Sequence, residues 1–484
     1  MSKISVAWPL SLGLAATLAL LAGCGSPSSA TPLPVPLSAA SLNLIFAVSE
    51  DLAYNAPGDF NPSTANLSNQ GLQRTLQMGT FLKQQVLGGS NVTSIYALEP
   101  MTHLQTANNY PDMVALETIQ QFAMLNEISL SYEGSEPLTA NSYPILASYS
   151  PESVPAGVAP PVFPCAACQG LDFTDQNGDN EALVSGIIQA NLPGFYVFSA
   201  PWETVSSLMQ NISRLQGFNL TLPSSYGGPN DVYAISIAPS GRASLVTYDS
   251  NLDPLPFYPQ LQLPPGAAGN SCSAQTPFRI QVSGGAAPAG SNTNETVYLI
   301  RHAEAHPNRT WEDGNYIGAG HWRALALPGA LQGKIQPTQV LSIDPSVDVP
   351  VGVAGDVNAS YVRPALTVEP YAIANHLPYN LAASVAVFAQ NPPALSTFAS
   401  AYLFTGGKFS NHTMLVAWEH DRLETMIGAL LASYQSSQTA PTWPSSDYDT
   451  IWTVTLDAHG NLSVDNNLCE GINSAALPAT PPQF

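Results

Sequence analysis

The stretch Val297-Tyr-Leu-Ile-Arg-His302-Ala-Glu304 is a short apolar run that ends on a guanidinium and an imidazole. Read as a strand, it carries bulk along its length and chemistry at its end. A second run, Asn43-Leu-Ile-Phe-Ala-Val48, has the same character, and each run is followed two residues later by a glutamate, Glu304 or Glu50. Further on, Gly71-Leu-Gln-Arg74 and Gly320-His-Trp-Arg323 each open a helix-like stretch, and Gln105-Thr-Ala107 matches Leu366-Thr-Val368. Phe195–Ser199 answers Leu415–Glu419 at an offset of 220, and Val232–Ile237 answers Ile451–Leu456 at 219. Both members of the last pair run to a turn glycine, Gly241 or Gly460, and a further strand, which is a hairpin pattern. A nearly constant offset across ordered elements is the signature of an internal duplication.

Strands that alternate with helix-like segments at 70–87 and 423–434 predict an α/β architecture, in which helices cover a central sheet. The expected organisation is a signal segment at 1–23, a Pro/Ser tether at 24–41, a first copy at 42–260, a Pro/Gly/Ser linker at 261–293, a second copy at 294–475 and a loose tail at 476–484.

Composition narrows the function. The 484 residues carry 13 Lys+Arg against 34 Asp+Glu, a net charge of −21, and only 10% are charged. That balance excludes a nucleic-acid partner, since there is too little positive charge to neutralise a phosphate backbone. Neutral polar residues dominate the rest of the surface, which suits an acidic exterior. Lys3, the apolar stretch from Val6 to Leu21, and Leu21-Ala-Gly-Cys24 read as a secretion signal. This segment resembles the bacterial lipoprotein signal, which implies lipidation of Cys24, a membrane anchor as partner and an extracytoplasmic location. Cys165, Cys168, Cys272 and Cys469 then remain, and structural bridges are the expectation in an exported chain, most simply Cys165–Cys168 and Cys272–Cys469.

Seven of the eight histidines lie in the second copy: His302, His306, His321, His376, His412, His420 and His459. Here the motifs resemble the histidine phosphatase superfamily, also called phosphoglycerate mutase-like. Arg301-His302 follows the first strand, Arg363-Pro-Ala-Leu-Thr367 is similar to the second arginine motif, and Met414–His420 is similar to the late strand that ends in a second histidine. The resemblance implies two tandem three-layer αβα domains with mostly parallel central sheets. It also implies hydrolysis of a small phosphate monoester through a phosphohistidine on His302, with Arg301, Arg363 and His420 binding the phosphoryl group. The chemistry is coherent: arginine forks match phosphoryl oxygens bidentately, and a neutral imidazole can attack phosphorus and divide one hydrolysis into two steps.

A leaving alcohol also needs a proton. The resemblance points to Asp421, directly after the second histidine, with Glu304 and Glu419 behind it. No cofactor or metal is expected. His306 is read as an exposed or substrate-contacting loop residue because Pro307 follows it, and His321, His376, His412 and His459 as surface or capping residues. In the first copy, Ala47-Val48 fall where Arg301-His302 stand, Thr102 falls where Arg363 stands and Ala200 where His420 stands, so that copy cannot use this mechanism. Asp175–Asp179 reads as a polar turn rather than a calcium loop. The competing reading is a catalytically inactive surface lipoprotein that binds a phosphoryl ligand or acts as a scaffold. The natural substrate and the oligomeric state are left open.

Overall fold

The computed structural model describes residues 35–484 apart from 52, 54–57, 101–110, 128–142, 149–168, 174, 176–177, 270–274, 283–286, 308–311, 347, 352–356 and 382–391. The signal segment, Cys24, most of the tether, Thr102, and the bridges invoking Cys165, Cys168 and Cys272 lie outside the described residues.

The first half contains β1 (Leu42–Val48), β2 (Phe60–Asn61), β3 (Asn66–Leu67), α1 (Asn69–Phe81), β4 (Ser94–Ala97), α2 (Val114–Asn126), β5 (Ile145–Leu146), α3 (Asp179–Ala190), β6 (Gly194–Ala200), α4 (Trp202–Leu215), β7 (Asp231–Ile237) and β8 (Ala243–Asp249). After it come β9 (Arg279–Val282), β10 (Glu295–Arg301), α5 (Gly318–Leu331), β11 (Gln339–Ser342), β12 (Asp348–Val351), β13 (Val357–Ser360), α6 (Arg363–Asn375), β14 (Tyr379–Leu381), α7 (Pro392–Phe404), β15 (Thr413–Trp418), α8 (His420–Ser433), β16 (Thr450–Leu456) and β17 (Leu462–Cys469).

The fold is mixed α/β. One sheet runs β5-β4-β6-β1-β7-β8 and the other β14-β11-β15-β10-β16-β17-β9, so β1 and β10 hold the same place in the same order. Each pairs in parallel with one neighbour, β6 or β15, and antiparallel with the other, β7 or β16. The segment expected to be only a linker supplies β9, an edge strand on β17. The tail is likewise fastened: Trp322 Nε1 donates to Thr480 O at 2.8 Å and Gln121 Nε2 to Pro482 O at 2.9 Å.

Three clusters of buried side chains order the layers. One joins α3 and α4 to the first sheet, and another joins α7 and α8 to the second. The third is continuous from Ile45 through Phe122 of α2 and Val368 of α6 to Ile300, so α1, α2, α5 and α6 form a middle layer shared by both sheets. This explains why α2 and α6 are buried on nearly every face, as a helix without a solvent side must be. Polar links cross the same seam: Gln120 and Asn315 exchange amide hydrogen bonds at 3.0 and 2.9 Å, and Ala147 N donates to Ser360 Oγ at 2.8 Å.

The pairing corrects the alignment read from the sequence. Ser49 N donates to Ala200 O as His302 N donates to Trp418 O, both at 3.0 Å, so Ser49, not Val48, answers His302. The α4 helix begins at Trp202 after Pro201, as α8 begins at His420 after Glu419; Trp202, not Ala200, therefore answers His420. Helices α2 and α6 each span 13 residues and end on asparagine, which sets Val114 against Arg363 and Thr118 against Thr367.

Candidate active site

Arg301 closes β10, and the next residue, His302, leaves the sheet edge fully buried. Its ring is fixed from one side, because Nδ1 donates to Ala303 O at 2.7 Å. The opposite nitrogen, Nε2, faces Glu419 Oε2 at 2.8 Å. A proton must lie in that second contact, since an unprotonated Nε2 and an ionised carboxylate would otherwise oppose lone pair to lone pair.

The strand β15 runs parallel to β10 and brings Glu419 and His420 to the same edge, with Arg301 paired across from Trp418. Glu419 is the centre of the cluster: Tyr361 OH donates to Oε2 at 2.9 Å, and His420 Nδ1 donates to Oε1. Burial opposes ionisation of Glu419, yet His302, His420 and the Arg301 charge together hold its carboxyl well below the ordinary value. Burial, helped by the charges of Arg363 and Arg301 and opposed by Glu419, lowers His302 to about 4. The carboxyl is thus held in its charged form only while it stays in this contact.

Arg363 opens α6, whose first turn accommodates Pro364 because the amide of that position has no helical partner. Its Nη1 donates to Glu312 at 2.9 and 3.1 Å and to Asn315 O at 2.9 Å, and its Nη2 donates to Tyr361 OH at 3.2 Å. Arg301 lies over the Tyr448 ring at 3.8 Å and donates to Ser445 O. The Nε atoms of both arginines are buried and have no hydrogen-bond partner among the described residues. Thr367 joins the motifs, since Ala303 N donates to its Oγ1 and that hydroxyl donates to Arg363 O, both at 2.8 Å.

Arg301, His302, Arg363 and His420 are thus brought together, with Glu419 between them. Asp421 is placed differently: its side chain is 74% exposed and, among the described residues, reaches only His420 Nε2, at 3.2 Å. Glu304 is buried against Arg323 at 2.8 Å as part of a core ion cluster with Glu470, away from the imidazole. His376, His412 and His459 are exposed. Two expectations for histidines are overturned. His306 is buried 3.0 Å from Asp313, and His321 is buried between Tyr316 and Gln121 at 3.0 and 2.8 Å. Tyr361, Glu312 and Tyr448 carried no signal in the sequence, because single tyrosines and glutamates in loops have no spacing to mark them.

No protein-family model and no curated protein matches the chain. Among solved structures, a phosphoglycerate mutase from Plasmodium falciparum aligns at 12% identity and TM-score 0.21, over 40% of this chain and 99% of that one. A protein assigned as the phosphohistidine phosphatase SixA of Agrobacterium tumefaciens aligns at 17% identity and TM-score 0.20, over 35% of this chain and 93% of its own. A SixA counterpart from Nakamurella multipartitia gives 14% and 0.21, over 40% and 94%. Scores of this size carry no argument about the chemistry.

Proposed function

We propose that this chain is a phosphomonoesterase of the histidine phosphatase type, exported and lipid-anchored through Cys24, that hydrolyses small phosphate monoesters through a phosphohistidine on His302. We propose further that the two halves descend from one duplicated unit, of which the first has lost the catalytic positions. The observation that carries the reading is a buried imidazole close enough to feel the charges of two arginines, each with a buried Nε donor that has no hydrogen-bond partner among the described residues. Such donors suit the equatorial oxygens of a phosphoryl group.

The steps follow from the contacts. A phosphate dianion enters where the Glu419 carboxyl meets His302 and displaces it; away from the charges of His302 and Arg301 that held it ionised, and beside the dianion, Glu419 takes the proton of that contact with it. His302 is left neutral, with its Nδ1 proton held by Ala303 O and its Nε2 lone pair free. Nε2 bonds to phosphorus while the ester P–O bond breaks, and the leaving oxygen takes the proton from the Glu419 carboxylic acid. Water then attacks the phosphohistidine, gives its proton to the Glu419 carboxylate, and returns the imidazole. Arg301, Arg363 and His420 hold the phosphoryl oxygens throughout. Glu419 thus takes the acid role in preference to Asp421, since it touches the nucleophile and Asp421 does not.

Rapid quenching of the protein with a labelled aryl phosphate is the test. An alkali-stable, acid-labile label on His302 is expected, and His302→Ala should lose both the label and turnover with an unchanged circular dichroism spectrum. A label on another residue, or turnover that survives His302→Ala, would refute the reading.

A further inference from the structure

Four residues after the nucleophile, outside the site just described, lies a second cluster made from both halves. It consists of His306 in the loop after β10, Asp313 further along that loop, and Glu127 at the C-terminal end of α2. One ligand atom from each residue falls within 4.8 Å of the others. His306 and Asp313 are buried, and His306 Nε2 stands 3.0 Å from Asp313 Oδ1. The Asp313 carboxylate spends Oδ1 on the amide of Asn315 at 2.9 Å. Its Oδ2, Glu127 Oε1 and His306 Nδ1 are buried with no hydrogen-bond partner among the described residues. Two carboxyl groups and an imidazole that face one another in the interior are costly unless a proton or a cation lies among them.

We infer that Glu127, His306 and Asp313 bind one first-row divalent transition-metal ion of the zinc class, which ties the first half to the loop of the active site. An imidazole with two carboxylates is a donor set for such an ion, and the harder oxygen-only ions would gain nothing from the nitrogen. A cation cancels the apposed negative charges and takes up the orphaned lone pairs in one step. The connection to the active site is direct. Glu312, the neighbour of Asp313, accepts from Arg363, and Asn315 O accepts from the same guanidinium. A metal that holds this loop against α2 would therefore set the position of Arg363 without touching substrate.

The inference is tested on the full-length protein with zinc itself, after chelation and dialysis. One equivalent of zinc per chain is expected to be retained, Tm should rise by a few degrees on its return, and X-ray absorption should show an oxygen/nitrogen shell with a single imidazole and no sulfur. Glu127→Gln, nearly isosteric, and His306→Ala should each weaken zinc binding by about 100-fold or more, since loss of outer-shell partners alone costs 10–100-fold. A sulfur-containing shell, several imidazoles, or full zinc retention by Glu127→Gln would overturn the assignment. So would a wild-type protein that keeps no zinc and whose Tm ignores it; the spectroscopy of the wild type decides even if His306→Ala fails to fold.

Discussion

On the proposed mechanism, Glu419 carries two duties that are normally separate. It shields the nucleophile before substrate arrives and holds the proton that the leaving group needs. Replacing it with glutamine keeps the size and one accepting oxygen for Tyr361 or His420 but removes the transferable proton. Glu419→Gln is therefore expected to slow alkyl phosphates by about 10²–10⁴-fold, the range of general acid catalysis, and aryl phosphates much less, because phenolate leaves unaided. Asp421→Asn should change neither rate more than a few-fold, given its exposure. Steady-state kinetics on a matched alkyl and aryl pair check both; equal losses on the two esters in Glu419→Gln would remove it from the acid role. Arg301, His302, Arg363 and His420 were all legible in the sequence, since each ends a strand or opens a helix in a recognisable motif. The preference for Glu419 over Asp421 was not. Adjacent residues at a strand-to-helix junction point in unrelated directions, and only the N-terminal turn of α8 decides which one faces the imidazole.

At the scale of elements, α1 and α2 cross at Gly79. A methyl group there would lie 2.8 Å from the Phe122 amide nitrogen and 2.7 Å from the Gln121 side chain, too close for the backbones to stay where they are. Gly79→Ala should destabilise the fold by about 1–3 kcal/mol, the usual cost of overpacking, measured by urea unfolding; an unchanged midpoint would show that the helices separate freely. The paired strands, the hairpins and the equivalent central places of β1 and β10 were readable from periodicity and offset, whereas the strand order and the register were not. The matching glutamates Glu50 and Glu304 invited an alignment that is off by one residue. In a strand such a slip turns every side chain to the opposite face. The structure removes the ambiguity, since Ile45 and Ala47 share the middle-layer core with Ile300, while Leu44 and Phe46 face outward as Val297 and Leu299 do. The match at 105–107 lies outside the described residues, and the helix that answers α6 among them begins at Val114.

Across the whole molecule, buried acids outnumber buried histidines as determinants of pH behaviour. Burial raises Glu117, Glu295 and Glu470 to about 8 each, the last against the pull of Arg323. A folded-state value raised above the unfolded 4.5 contributes stability that is complete below 4.5 and is lost as pH climbs toward 8. His302 at about 4 and His321 at about 3, both lowered by burial, act in the opposite sense, and only below 6.5. Between pH 6.5 and 8 the acids therefore dominate, each with a slope of up to about 1.4 kcal/mol per pH unit, and Lys83, which burial lowers to about 8, acts against them toward the top of that interval. Thermal unfolding should give a higher Tm at pH 6 than at pH 8; a Tm that climbs over that interval would contradict the account. The sparse, acidic composition already pointed toward an acidic setting, but it could not say which carboxyls are buried.

The shared middle layer also bears on why a half without the catalytic residues persists at all. Deleting it would strip the cover from α6, the helix that presents Arg363, and leave a broad apolar face in water. On the proposed function, selection on activity would reach the first half indirectly, through the side chains that cover α6. On that reading the first half works as a prosthesis, kept because the second half has no surface of its own to stand on.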